Sequence, residues 1–188
     1  MGAPAAQGVL FVCMGNICRS PTAEGVLRHK LREAGLHEAV RVDSAGTHGW
    51  HAGSPPDHRS TVHAAKRGYE LGALRSREVV AADFERFDLI LAMDWDNLAL
   101  LEERCPPALR HKLGRLTDHC SRHDSPVVPD PYAGGAQGFE EVLDLVEDAC
   151  DGLVLLIRRQ ATRAWRKGRG KVPGRPSRPR VSPLRGPI

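Results

Sequence analysis

Val9-Leu-Phe-Val-Cys-Met-Gly-Asn-Ile-Cys-Arg-Ser-Pro21 holds the change of structure around which the rest of the chain is arranged. Val9 to Cys13 is a short apolar run of the kind that forms a buried strand. Gly15 and Asn16 break it, and both residue types suit the left-handed or strained backbone of a tight loop. Ser20-Pro21 then starts a helix, with proline in the first turn, where its missing N–H is no loss. A loop that closes from a strand onto a helix N-terminus turns successive backbone N–H groups inward, which makes an anion cradle.

The chemistry expected of that cradle follows from its side chains. Cys13, at its base, feels the N–H dipoles and a nearby guanidinium, and both favour the nucleophilic thiolate. Arg19 returns over the loop and can grip two phosphoryl oxygens at once, which a lysine does less well. Met14, Gly15, Asn16, Ile17, Cys18, Arg19 and Ser20 supply the phosphate-binding surface, and the Ser20 hydroxyl can donate to the sulfur. Displacing an oxygen leaving group from phosphorus also needs a proton donor. Asp130, in Asp130-Pro131-Tyr132 of a Pro/Gly-rich loop, is the candidate, since such loops at the ends of parallel strands carry function.

Outward from this stretch, Ala23, Val26, Leu27, Leu31 and Ala34 continue the first helix to Gly35. Val40 to Ser44 alternates like a strand. Ser54 to Asp57 is a turn leading to a helix that ends near Gly68, and Ser76 to Val80 is briefly extended. Leu89 to Met93 is a second apolar strand, and Trp95 to Glu103 is helical. Residues 104–138 contain five prolines, which predicts loops around one short strand near Lys112–Leu116. From Phe139 to about Trp165 one apolar stripe recurs at three- and four-residue steps, through Val142, Leu143, Val146, Ala149, Cys150, Leu153 and Ile157. Strands alternating with helices predict an α/β fold, a parallel sheet covered on both faces. The expected division is a flexible N-terminus over 1–7, one domain over 8–166 and a disordered Pro/Arg-rich tail over 167–188.

Composition narrows the function classes. With 188 residues, 41% apolar and 27% charged, the chain is neither disordered throughout nor a membrane protein. Its formal net charge of +4 is a sum of opposites. Residues 158–188 hold 11 Lys+Arg and no acidic residue, whereas residues 1–157 hold 16 basic and 23 acidic residues, a net of −7. The acidic balance of the folded part argues against nucleic-acid binding there, while the tail could meet acidic partners, nucleic acid or an anionic membrane. The first residues lack a signal peptide's charged and apolar regions, and five cysteines is an odd number, so reduced thiols and a cytoplasmic location are expected. Cys105, His111, Cys120 and His123 fit no recognised zinc spacing, and no metal or other cofactor is expected.

The chain resembles the low-molecular-weight protein tyrosine phosphatases over about residues 8–160. The resemblance is carried by residues 9–21, by Asp43-Ser-Ala-Gly-Thr47, by Asp83 to Asp94, by Val128-Pro-Asp-Pro-Tyr132 and by Phe139-Glu-Glu-Val142, in the family order. It implies a three-layer, doubly wound, four-stranded parallel sheet flanked by helices, with the phosphate-binding loop after the first strand. It also implies hydrolysis of phosphotyrosine through a phosphocysteine, without a metal. By position, Cys13 matches the nucleophile, Arg19 the phosphate clamp and Asp130 the general acid. Asn16, Ser20 and Ser44 match the groups that hold the loop. Asp94 matches a residue that braces it, although capping the helix from Trp95 is an equal reading. Trp50 and Tyr132 resemble the walls around the phenol ring, and Cys18 the second loop cysteine that can form a reversible disulfide with the nucleophile. One departure is Ala133, where the family often has a second tyrosine, so regulation by phosphorylation at that position is excluded.

Three other readings share these residues. Thioredoxin-coupled arsenate reductases need further redox cysteines on a mobile segment, and residues 76–95 contain none. Protein-arginine phosphatases carry Thr where this chain has Ile17, and the apolar side chain suits an aryl leaving group better. A silent phosphotyrosine-binding module would have no use for Asp130.

Overall fold

The computed structural model describes residues 7–168, with side chains through residue 163. Its elements are β1 (Gln7–Cys13), α1 (Arg19–Glu33), β2 (Val40–Gly46), α2 (His58–Lys66), α3 (Ala81–Arg86), β3 (Leu89–Ala92), α4 (Trp95–Arg104), β4 (Leu113–Arg115) and α5 (Ala136–Gly168). Two 3-10 segments, Pro107–Lys112 and Leu116–His119, flank β4. The expected flexibility of 1–6 and disorder of 169–188 fall outside the described residues.

The four strands form one parallel sheet in the order β2-β1-β3-β4. After β1 the chain first builds outward to β2, then returns to the other side of β1 for β3. That reversal opens a crevice beyond the C-terminal ends of β1 and β3, where open α/β sheets hold their ligands. Period-two alternation assigns the side chains of β1 to two cores. Val9, Phe11 and Cys13 belong to the core shared with α1 and α5, whereas Leu10 and Val12 join Phe84, Phe87 and Leu101 on the opposite face. Helices therefore cover both faces, as the three-layer expectation required.

Helix α5 buries the stripe Phe139, Val142, Leu143, Val146, Ala149, Cys150, Leu153 and Ile157. Gly152 interrupts it for a steric reason: a Cβ there would lie 2.1 Å from the His119 carbonyl oxygen. Nearby, the fully buried Asp148 accepts the backbone N–H groups of Ser121, Arg122 and His123 at 3.0, 2.8 and 2.8 Å. Burial opposes its ionisation, but these N–H groups and His123 overcome it and hold the carboxyl well below the usual carboxylate range.

Two boundaries and one helix differ from expectation. Gln7 is not part of a flexible N-terminus: its N–H donates to the Ala39 carbonyl at 3.1 Å, and its amide bonds Gln160 of α5. Helix α5 continues through residues 167 and 168, past the expected domain end. Helix α3 was not foreseen, because Ala81-Ala82-Asp83-Phe84 shows too little apolar periodicity. It forms because the buried Asp83 carboxylate accepts the Val80 N–H at 2.9 Å, satisfying a free donor at its start.

Candidate active site

Cys13 ends β1, and residues 14–18 curl from it into α1. The carbonyls of this loop are held from outside. Cys13 O and Met14 O accept from the N–H groups of Thr47 and His48 at 2.8 and 3.0 Å, Gly15 O from Ser76 Oγ at 3.0 Å, and Ile17 O from the Asp57 N–H at 2.7 Å. Thr22 Oγ1 donates to Cys18 O at 2.7 Å. Planar trans peptides set each N–H opposite its carbonyl, so the amide donors turn inward. Among the described residues, the N–H groups of Met14, Gly15, Ile17 and Cys18 find no acceptor, while that of Asn16 reaches Cys13 Sγ at 3.3 Å. Inward donors of this kind are the arrangement an anion cradle requires.

Asn16 is the one non-glycine residue with positive φ among the described residues, at 55°. Its amide orientation is unambiguous, because the Arg77 backbone N–H can only donate and meets Asn16 Oδ1 at 3.0 Å. Asn16 Nδ2 therefore donates, to Ser20 Oγ at 2.8 Å and to Ser44 Oγ at 2.9 Å. Ser44 directs its own proton to Glu24 Oε2 at 2.6 Å, and Glu24 pairs with Arg28 at 2.6 Å. When Cys13 is the thiolate, Ser20, which has accepted from Asn16, gives its proton to Cys13 Sγ at 3.0 Å rather than to the Ala45 carbonyl at 3.4 Å. The proton inventory thus runs in one direction, with donors ending on the sulfur and on a buried carboxylate.

Arg77 fixes this arrangement from behind. Its guanidinium bonds Asp43 Oδ2 at 2.9 Å and Asp83 Oδ2 at 2.8 Å, which explains why aspartates occupy both positions. Gly46 lets the strand end pass under the loop, since a Cβ there would sit 2.7 Å from Met14 O and 2.8 Å from His48 O.

Arg19 is nearly fully buried and is held at three points: Asp94 Oδ2 at 2.5 Å, Val128 O at 3.2 Å and Asp130 Oδ2 at 3.3 Å. Burial works against its charge, but the Cys13 sulfur, Asp94 and Asp130 more than compensate and keep it protonated. While one oxygen of Asp94 meets Arg19, the other accepts the Asn97 N–H at 2.8 Å and caps α4. Asp130 itself is half exposed, with Oδ1 accepting the Tyr132 N–H at 3.1 Å.

These groups share one cavity of about 200 Å³, lined by the loop residues with Arg19, Asp130, Trp50, Tyr132 and His51. Trp50 and Tyr132 are 68% and 55% exposed, so they stand as rims rather than core aromatics. Trp50 stacks on His48, centroids 4.2 Å apart, and Arg59 lies 5.6 Å from the Tyr132 ring centroid. Cys18 is buried beside the cavity, and desolvation, with a smaller opposing pull from Ser60, pushes its thiol up to about 12.

Every site residue expected from sequence lines this cavity or contacts a residue that does, except Ser44, which reaches it through Asn16. Sequence reasoning missed Glu24, Arg77 and His51. The Trp-His pair at 50–51 is a usable signal for His51, which borders the cavity beside Trp50. Glu24 and Arg77 gave none, because charged residues on a helix or in an extended segment read as solvated. Among the described residues, no group of His, Cys, Asp or Glu is gathered to hold a metal ion, and all five cysteines are free.

Residues 8–163 match the family model for the low molecular weight phosphotyrosine protein phosphatases, and the chain belongs to that family. A low molecular weight protein-tyrosine-phosphatase of Streptomyces coelicolor is 43% identical over 155 residues, covering 81% of this chain and 94% of the relative. The crystal structure of a protein tyrosine phosphatase from Entamoeba histolytica, with Hepes in its active site, matches with a TM-score of 0.80 at 42% identity. That match covers 82% of this chain and 99% of the Entamoeba chain. A Drosophila arginine phosphatase matches with a TM-score of 0.73 at 33% identity, covering 79% of this chain and 96% of its own.

Proposed function

We propose that the chain hydrolyses phosphotyrosine monoesters in proteins through a phosphocysteine, with Cys13 as nucleophile, Arg19 as clamp and Asp130 as general acid and base. The observation that carries this reading is the convergence of Cys13 Sγ, the Arg19 guanidinium and the Asp130 carboxyl on one cavity with free N–H donors at its floor.

The phosphoryl oxygens occupy the cradle, and Trp50 and Tyr132 flank the ring. The sulfur attacks phosphorus while the bond to the phenolic oxygen breaks, and that oxygen takes the proton of Asp130. Asp130 then removes a proton from water. The resulting hydroxide attacks phosphorus, the P–S bond breaks, and sulfur leaves as thiolate, met by the hydroxyl of Ser20 and the N–H of Asn16. Arg19 and the amide dipoles neutralise the charge that gathers on phosphorus, so the scheme calls on no metal. Cys18 is the partner for a reversible disulfide after peroxide converts the Cys13 thiolate to a sulfenic acid.

The catalytic unit in this reading is the folded body from β1 through α5, and it acts in the cytoplasm, where its free thiols stay reduced. The basic segment beyond it serves contacts with acidic partners, nucleic acid or anionic membrane rather than catalysis. Ile17, Met14 and the two aromatic rims favour an aryl ester over phosphoarginine. The test is parallel hydrolysis of matched phosphotyrosine and phosphoarginine peptides with and without a chelator. Chelator-resistant preference for phosphotyrosine is expected; a preference for phosphoarginine would overturn the assignment.

A further inference from the structure

Helix α1 and the edge strand β2 enclose a second cavity, of about 350 Å³, which shares no residue with the catalytic one. Arg28, Arg32, His37 and Arg41 line it, together with apolar residues such as Leu31 and Val42, and no carboxylate does. Arg28 and Arg32 are one helical turn apart and share a face of α1. Of the three arginines, Arg28 alone makes an ion pair among the described residues. A second hollow, of about 500 Å³, opens beside the same two helix arginines, but Glu70 lines it, so the anion site is confined to the first. Three arginines line a hollow to which no carboxylate contributes, and guanidinium groups are the donors that phosphate oxygens match.

Arg28 also faces inward. It holds Glu24 Oε1 at 2.6 Å and donates to the Val42 carbonyl at 2.9 Å. Glu24 is the carboxylate that fixes the direction of the hydrogen bonds through Ser44, Asn16 and Ser20 to Cys13. Burial pushes the Glu24 carboxyl above its usual range, and Ser44 and Arg28 oppose that rise. Any ligand that draws Arg28 outward therefore weakens one of the contacts that oppose the rise of the Glu24 carboxyl and disturbs the start of this set of hydrogen bonds.

We propose that this cavity is a second anion site, for a small phosphorylated or polyphosphate ligand, and that its occupation competes with Glu24 for Arg28 and so lowers turnover at Cys13. The two sites are distinct and are joined by an identified set of contacts, which is what coupling requires.

The experiment titrates the full chain with inorganic pyrophosphate and follows backbone amide shifts, in the wild type and in an Arg32→Ala/Arg41→Ala variant. Both substituted arginines are exposed and lie outside the catalytic cavity. Two sets of perturbed amides are expected, around 13–20 and around 28–42, with different midpoints. The variant should keep the first set and weaken the second by about tenfold or more. Shifts confined to 13–20, or a second set unchanged in the variant, would overturn the site. A kinetic arm, which rests on the phosphatase reading, tests the coupling with p-nitrophenyl phosphate. Pyrophosphate should lower kcat as well as raise KM in the wild type and act as a purely competitive inhibitor in the variant. Purely competitive inhibition of the wild type would overturn the coupling. The amide shifts read the site whether or not the ester is turned over.

Discussion

The side-chain amide of Asn16 donates to Ser44 Oγ at 2.9 Å, tying the catalytic loop to the end of β2 across 28 residues. Because Ser44 passes its own proton to Glu24, Asn16 has no freedom to reverse, and the Ser20 proton remains available to Cys13. Ser44→Ala removes the acceptor and leaves a buried N–H unpaired, at a cost of about 1–3 kcal/mol. The expected result is a fall of about tenfold in kcat/KM toward a phosphotyrosine peptide with the fold retained by circular dichroism. Unchanged kinetics would remove Ser44 from the relay.

Asp130→Asn keeps the shape of the side chain and the contact with Arg19 but cannot donate a proton to a leaving group. Aryl phosphates whose phenols have high pKa should lose about 10²–10⁴ in kcat/KM, and activated esters such as p-nitrophenyl phosphate far less. A plot of log kcat/KM against leaving-group pKa should steepen in the variant. Parallel plots for the two proteins would count against Asp130 as the acid.

Burial holds the Cys18 thiol protonated up to about 12, against an ordinary value of 9.0. At pH 8 iodoacetamide should therefore leave Cys18 unmodified in the folded protein, as read by peptide mass spectrometry. A raised pKa also means that Cys18 favours the folded state below its ordinary pKa and loses that contribution as pH climbs from about 9 toward 12. Rapid alkylation of Cys18 at pH 8 would show that it is not sealed in this way.

Asp148 is expected to matter for stability and not for turnover. Its carboxyl lies far below the usual range, so its contribution is complete above about pH 4 and is lost as the pH falls through the folded-state value. Asp148→Asn should lower the unfolding free energy by about 2–4 kcal/mol at pH 7, measured in urea, and this gap should shrink in acid. Catalytic constants of the folded variant should stay near wild type, since Asp148 contacts the 121–123 segment and no cavity residue.

Gly152→Ala sets a helix propensity gain against a steric clash. Alanine is the better helix former by about 1 kcal/mol, yet the added Cβ meets the His119 carbonyl at 2.1 Å. Backbone cannot yield as a side-chain tip can, so the variant should be less stable by about 1–3 kcal/mol. A stabilised variant would mean that α5 and the Leu116–His119 turn move apart freely.

The parts of this molecule that were legible in sequence are those set by local rules. Val9 to Cys13 reads as a strand because both of its faces are buried, and Gly35 and Gly68 adopt the positive φ that ends helices, at 68° and 86°. Cys13 and Arg19 could be paired because the loop between them is short. Asp130 came from the proline-rich loop and the proton balance of the reaction. Glu24 and Arg77 were invisible for one shared physical reason: the groups that hold them are supplied by the fold, Ser44 and Asp43 from β2 and Asp83 from α3. Helix α3 was missed likewise, because its start depends on Asp83 turning inward rather than on any apolar repeat.

The most direct test of the proposed chemistry is to quench the enzyme in acid during turnover of a phosphotyrosine peptide and to locate the transferred phosphoryl group by mass spectrometry. A phosphoryl adduct on the peptide carrying Cys13, absent from an inactive Cys13→Ser variant, is the predicted result. An adduct on any other residue, or wild-type turnover by Cys13→Ser, would contradict it.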